Sequence, residues 1–377
     1  MFFEQIGQIP PQLILFFVIY GVTGAITLCA ALYLLLRRGN AFAADVTPPV
    51  RLRRWAASFF GISALGHVWW FLFYTHSGDC HSMSDLPFSP AYVTVLMLDG
   101  VTLLTTIAGT LLAMLQDRRR PVWPVFAAMF PFVLLGGVII FNPNSRLLQI
   151  AIAYVLLLYV LFTVYVAFAV RQYGRWLCDN YADLERKEVW LSHVLSILFL
   201  LLFIFYALVD NNIILFYLLH LAEIVFYVFL LWRVETLPSL EEQPHPLPVE
   251  KVSVGSKTPN IDMDLMQRML TEHCAETHLY LQQDLTLAQL AAALGTNRSY
   301  LSQYFSRQSI TYNTYINNLR INYFVSRYQE VVAAGQSFTV QQLASESGYR
   351  SYSTFSLAFK QRMGQSVTAW MHSTQES

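Results

Sequence analysis

Five ionisable residues interrupt stretches of the chain that are otherwise apolar: His67, Asp99, His193, His220 and Glu223. Imidazoles and carboxylates carry protons, ligate metals and bind polar ligands, and they are costly in hydrocarbon unless they meet one another. On a helix, His220, Glu223 and Tyr227 share one face, from which they could reach Asp99 or His193 on neighbouring helices. Two readings stay open for this set. One is a ligand pocket or proton-sensitive switch; the other is a polar cluster that only bonds helices together. A second group, His76, Asp79, Cys80 and His81, is crowded into HSGDCHSMSD. Ligands so close in sequence do not define a coordination sphere, so no metal is assigned, and no cofactor is implied. There is no HExxH, P-loop, GxSxG or kinase-like set, and no enzyme is expected.

The elements that must position these residues are greasy. Of 377 residues 55% are hydrophobic and only 13% charged, with Lys+Arg 24 balancing Asp+Glu 24. Soluble domains carry about 25% charged residues, so a wholly soluble or disordered chain is excluded. Four dispersed cysteines without a CxxC pair exclude a disulfide scaffold or zinc ribbon. Crossing about 30 Å of hydrocarbon takes roughly 20 residues of helix. Seven runs meet that length: 13–36, 55–74, 91–115, 122–141, 147–170, 189–209 and 213–232.

Loop charges orient them. Arg37, Arg38, Arg51, Arg53, Arg54, Arg118, Arg119, Arg120, Arg171, Arg175, Arg186 and Lys187 fall in odd-numbered loops, and Arg146 alone falls on the other side. The bias places the N-terminus outside and the C-terminus in the cytoplasm, as a multi-pass protein of the cytoplasmic membrane. The expected organisation is a seven-span domain over 1–236, a linker over 237–260 holding five of the fifteen prolines, and a soluble domain over 261–377. Within the last, a helix is expected over 261–278 with Leu265, Met269, Leu270 and Cys274 on one side.

The soluble domain contains a repeat. TLAQLAAALG begins at Thr286 and TVQQLASESG at Thr339, identical at Thr, Gln, Leu, Ala and Gly. Each reads as a short helix capped by its threonine and ended by its glycine. A second helix follows each copy. Asn297 caps RSYLSQYFSR, with Leu301, Tyr304 and Phe305 inward; Ser351 caps YSTFSLAFKQR, with Phe355, Ala358 and Phe359 inward. TYNTYINNLRINYFVSRYQ connects them as one long helix. The pattern is two helix-turn-helix units in an all-α chain.

These motifs, above all the closing GYRSYSTFSLAFKQRMGQSVTAW, resemble the DNA-binding domain of AraC/XylS-type transcription regulators over about 280–370. The resemblance implies that double-stranded DNA at a promoter is the partner. It also implies that Ser299, Ser302, Gln303, Tyr352, Ser353 and Leu357 stand where the family contacts bases, with Arg298 and Arg350 on the same outward faces. Leu357 departs from the long polar residue common at its position. Arg307, Lys360, Arg362 and the helix starts at Asn297 and Ser351 are expected at phosphates. Residues 285–370 carry a basic excess of five, counting Arg320 and Arg327. The expected function is a membrane-integrated one-component regulator biased by an envelope or membrane signal. Its partners would be the lipid bilayer, an unidentified signal ligand, RNA polymerase and a second copy of the chain. A transporter or channel, or an intramembrane enzyme, carrying a regulatory tail are the alternatives.

Overall fold

The computed structural model describes residues 11–37, 39–76, 89–142, 145–208, 213–240 and 262–375. The HSGDCHSMSD side chains and most of the expected linker lie outside the described residues. Those residues form helices, with no strand among them and one isolated bridge between Tyr181 and Thr286. They divide into two compact units, one of Met1–Arg171 with Val189–Glu241 and one of Gln172–Glu188 with Glu242–Ser377.

The first unit holds α1 (Pro11–Leu36), α2 (Val50–His76), α3 (Pro90–Met114), α4 (Trp123–Ala128), α5 (Phe130–Phe141), the greater part of α6 (Ser145–Asn180), α7 (Trp190–Leu208) and α8 (Ile213–Thr236). Among the described residues six stretches are long and apolar enough to cross a membrane: Ile14–Leu36, Val50–Phe73, Pro90–Met114, Trp123–Phe141, Arg146–Asn180 and Ile214–Thr236. The remaining expected run coincides with α7, where the apolar stretch so described is the shorter Trp190–Leu202. The run 122–141 folds as two helices. Pro131, in the first turn of α5, has no N–H to continue the ladder and its ring crowds the preceding turn.

Apolar side chains cover the outside of this unit. Phe17, Phe126, Phe130, Val164, Phe168 and Val225 are all exposed, whereas Thr23, Thr27, Ser63, Thr110 and Ser196 are buried. A helix bundle made for water reverses that order. Close approach is bought with glycine: the Trp55 ring lies where a Cβ on Gly109 would project, and Met97 does the same at Gly136. Where α8 ends, the chain is held. Glu235 is fully buried, paired with Arg53 at 3.2 Å and receiving a hydrogen bond from the Tyr33 hydroxyl at 3.1 Å. Gln116 then accepts from Leu240 N–H and donates to the Pro238 carbonyl.

In the second unit α9 (Met263–Leu270) leads through a π-turn, Thr271–Ala275, and a 3-10 turn, Leu279–Leu281, into α10 (Leu287–Ala293) and α11 (Arg298–Arg307). The long α12 (Tyr312–Ala333) follows, then α13 (Val340–Glu346), α14 (Tyr352–Met363) and α15 (Val367–Gln375). The helix expected over 261–278 is thus shorter than its apolar pattern suggests. Met266, Leu270 and Cys274 point inward while Leu265 is exposed. Burial pushes the Cys274 thiol up to about 11, so it stays a neutral core group.

Two cores share α12. One gathers Met266, Leu270, Leu290, Leu301, Phe305 and Ile316; the other gathers Phe324, Tyr328, Leu343, Phe355, Phe359 and Trp370. Between them sits Arg320, 1% exposed, donating to the carbonyls of Tyr280 (2.7 Å) and Gln282 (2.8 Å) beneath the Tyr349 ring. The basic excess counted from sequence therefore shrinks by one at the surface, because Arg320 is internal; the two acidic residues in that count, Glu330 and Glu346, both face Arg327.

Candidate nucleic-acid interface

Each repeat places its second helix by the same local chemistry. The Thr286 hydroxyl accepts from Gln289 N–H while Gln289 Oε1 accepts from Thr286 N–H, a reciprocal capping box that starts α10. The Thr339 hydroxyl likewise accepts from Gln342 N–H to start α13, without the reciprocal bond. The turns run through Gly295 at φ +64° and Gly348 at φ +87°, left-handed values that glycine adopts without a Cβ clash. Asn297 Oδ1 then accepts from Tyr300 N–H at 2.7 Å to open α11, and Ser351 Oγ accepts from Thr354 N–H at 3.3 Å to open α14.

With Leu301, Tyr304 and Phe305 buried, helical geometry turns Arg298, Ser299, Ser302, Gln303 and Arg307 to the surface, and all five are exposed. With Phe355, Ala358 and Phe359 buried, α14 exposes Tyr352, Ser353, Leu357 and Lys360, while Arg350 and Arg362 are exposed on either flank. Leu357 is 61% exposed. A leucine so exposed gains little from burial. It can lie against a thymine methyl. The basic side chains of Arg307, Lys360 and Arg362 fall in the last turns of their helices.

Sequence reasoning missed a further contributor. Residues 180–187, the loop following α6, belong to this unit and bridge its two halves. Ala182 is buried in the first core, its N–H donating to the Leu285 carbonyl. Asn313 donates to the carbonyls of Tyr181 and Ala182. Asn180 Oδ1 accepts from Arg298 Nε at 2.9 Å, at the mouth of α11. The Glu185 carboxylate accepts from the Thr354 hydroxyl in the first turn of α14 at 3.3 Å. Asp284 faces both Lys187 (3.4 Å) and Arg350 (3.2 Å). No short-range pattern signals such docking, because its partners lie about a hundred residues or more away in sequence.

Among the ionisable candidates of the apolar runs, the fold brings His67 (α2) to His220 and Glu223 (α8), with Asp99 (α3) close enough for its charge to bear on Glu223. His193 stands apart. Its ring nitrogens face the carbonyls of Val189 (2.9 Å) and Leu111 (3.1 Å), and Leu111 is about 18 Å along α3 from Asp99.

Residues 290–373 match a family model described as a helix-turn-helix domain, of the AraC/XylS type that the motifs resemble. No curated protein and no solved structure matches the chain. The matched segment is a DNA-binding module of the transcription-regulator class.

Proposed function

We propose that the protein is a membrane-integrated one-component transcription regulator. In this reading 1–236 is a multi-pass domain of the cytoplasmic membrane, seven spans with the N-terminus outside, and 261–377 reads operator DNA in the cytoplasm. One observation carries it: two capped helices in one domain, each following a glycine turn, hold their polar or methyl-matching residues outward while their apolar residues are buried. That is what two major grooves require. In α11, Gln303 reads adenine through its amide, with Ser299 and Ser302 beside it. In α14, Tyr352, Ser353 and Leu357 face bases. Arg298, Arg307, Arg350, Lys360 and Arg362 meet phosphates. The apolar exterior of the first unit and the arginine bias of the odd loops support the membrane location.

Binding of the full-length chain, reconstituted in nanodiscs, to a promoter library tests the reading. Enrichment of one motif, relaxed by Gln303→Ala, is expected; no preference over bulk DNA overturns it. A fluorescent-protein fusion at the C-terminus tests the topology: it should fluoresce, and a dark fusion beside an active C-terminal alkaline phosphatase fusion overturns it.

A further inference from the structure

The first unit buries two carboxyl groups, Asp99 and Glu223, away from its arginines. Glu223 is 9% exposed and Asp99 8%, and among the described residues Glu223 Oε2 and Asp99 Oδ1 have no hydrogen-bond partner. Asp99 Oδ2 accepts from the Trp70 indole N–H at 3.3 Å, and the Trp69 indole also bears on this carboxyl group. Along α8 the next arginine, Arg233, is about 15 Å from Glu223. Two histidines complete the group. His67 Nδ1 donates to the Ser63 carbonyl (2.8 Å) and His220 Nδ1 to the Phe216 carbonyl (3.0 Å). That fixes each ring and leaves each Nε2 as a lone-pair donor, the arrangement metal-ligating imidazoles use. His220 Nε2 lies 3.8 Å from Glu223 Oε2, and one ligand atom from each of His67, His220 and Glu223 lies within 4.8 Å of the others.

We propose that His67, His220 and Glu223 bind a first-row divalent transition cation, with Zn²⁺ as the reference ion. Imidazole nitrogen selects such ions over Mg²⁺ and Ca²⁺, which take oxygen ligands. Bond lengths of about 2.0–2.2 Å set ligand atoms about 3.4 Å apart, so the three close by roughly 1 Å on binding. The cation neutralises the charge on Glu223 and Asp99 together and crosslinks α2 to α8. The probe is Co²⁺, titrated into the full-length chain in nanodiscs and followed by visible absorption and metal analysis. One equivalent displaced by Zn²⁺ is expected, with affinity lowered at least about tenfold in Glu223→Gln and in His220→Ala. Glu223→Gln keeps the size and hydrogen-bonding of the side chain, so its loss of metal is not a loss of fold. Absence of bound Co²⁺ above the level in His67→Ala/His220→Ala overturns the site. Promoter binding measured alongside is independent: DNA recognition that fails while Co²⁺ binds removes the regulator reading and leaves the site standing.

A separate observation carries a second inference, which rests on the DNA-binding reading. Loop 180–187 places Asn180 on Arg298 and the Glu185 carboxylate at the N-terminal turn of α14. Those are positions where a helix N-terminus and an arginine would receive DNA phosphates. We infer that this loop is an autoinhibitory clasp, its carboxylate standing where a phosphate must come. The loop is continuous in sequence with α6 and α7. Glu185 is only partly buried and outside both cores, so Glu185→Ala should leave folding intact. Promoter affinity of the full-length Glu185→Ala chain is expected to rise about three- to tenfold, as loss of one charge-assisted bond and its repulsion allows. Unchanged or weaker affinity, with wild-type thermal unfolding, overturns the clasp; loss of all sequence preference in the wild-type chain would instead overturn the DNA-binding reading.

Discussion

The two helix-turn-helix copies began from one pattern and now differ in how they are held and in what they present. The first has a complete capping box and a turn glycine with open space around it, and it presents serines and a glutamine. In the second, the Gln342 amide bonds Glu346 instead of closing the box, and the turn glycine is pressed against the Leu281 backbone. Its outward face centres on a leucine. The first copy is stabilised locally and, in the proposed function, would read by hydrogen bonds. The second depends on neighbours and would read by shape and methyl contact. The two copies share the scaffold residues, which packing constrains, and differ at the outward ones, which packing does not.

Substitutions sharpen that contrast. Phe355→Ala removes a fully buried ring that packs on Phe324 of the shared helix and should cost about 3–5 kcal/mol. Chemical unfolding should show one transition lowered as a whole; a split into two would mean that the copies fold separately. Gly348→Ala combines a left-handed backbone with a clash against Leu281 and should cost about 2–4 kcal/mol, whereas Gly295→Ala pays only the backbone term of about 1 kcal/mol. Equal effects would break the proposed asymmetry. On DNA, Gln303→Ala should relax base preference by about 1–3 kcal/mol. Leu357→Ala should cost at most about 1 kcal/mol, read by competition binding on matched and mismatched sites. The caps should differ by less than either substitution costs in full: Thr286→Ala about 1–2 kcal/mol and Thr339→Ala about 0.5–1 kcal/mol, by thermal unfolding.

The scaffold of the DNA-reading unit was legible because its determinants are local. Thr286, Asn297, Thr339 and Ser351 cap helices within three residues of themselves, and Gly295 and Gly348 end them. The apolar runs were legible for the same reason, although Pro131 breaks one of them. What stayed hidden is long-range. Arg320 looks like a surface cation in any window, and only the carbonyls of Tyr280 and Gln282 make it a core residue. Ala182 carries no signal of docking. His67 joins His220 and Glu223 through helix packing, and His193, indistinguishable from them by composition, is claimed by two carbonyls. At the candidate DNA interface the legible part was which side chains face outward; what their neighbours do to Arg298 and Arg350 was not.

The single helix running through both cores, bolted at its middle by the buried Arg320, has a consequence for promoters. A pair of readers mounted on one rod cannot adjust its gauge. Adding five base pairs between the two contact sites swings the second to the opposite side of the duplex, and adding ten restores its bearing but not its reach. Promoters served by this domain would have to respect a fixed interval, so their spacing should tolerate far less drift than their letters.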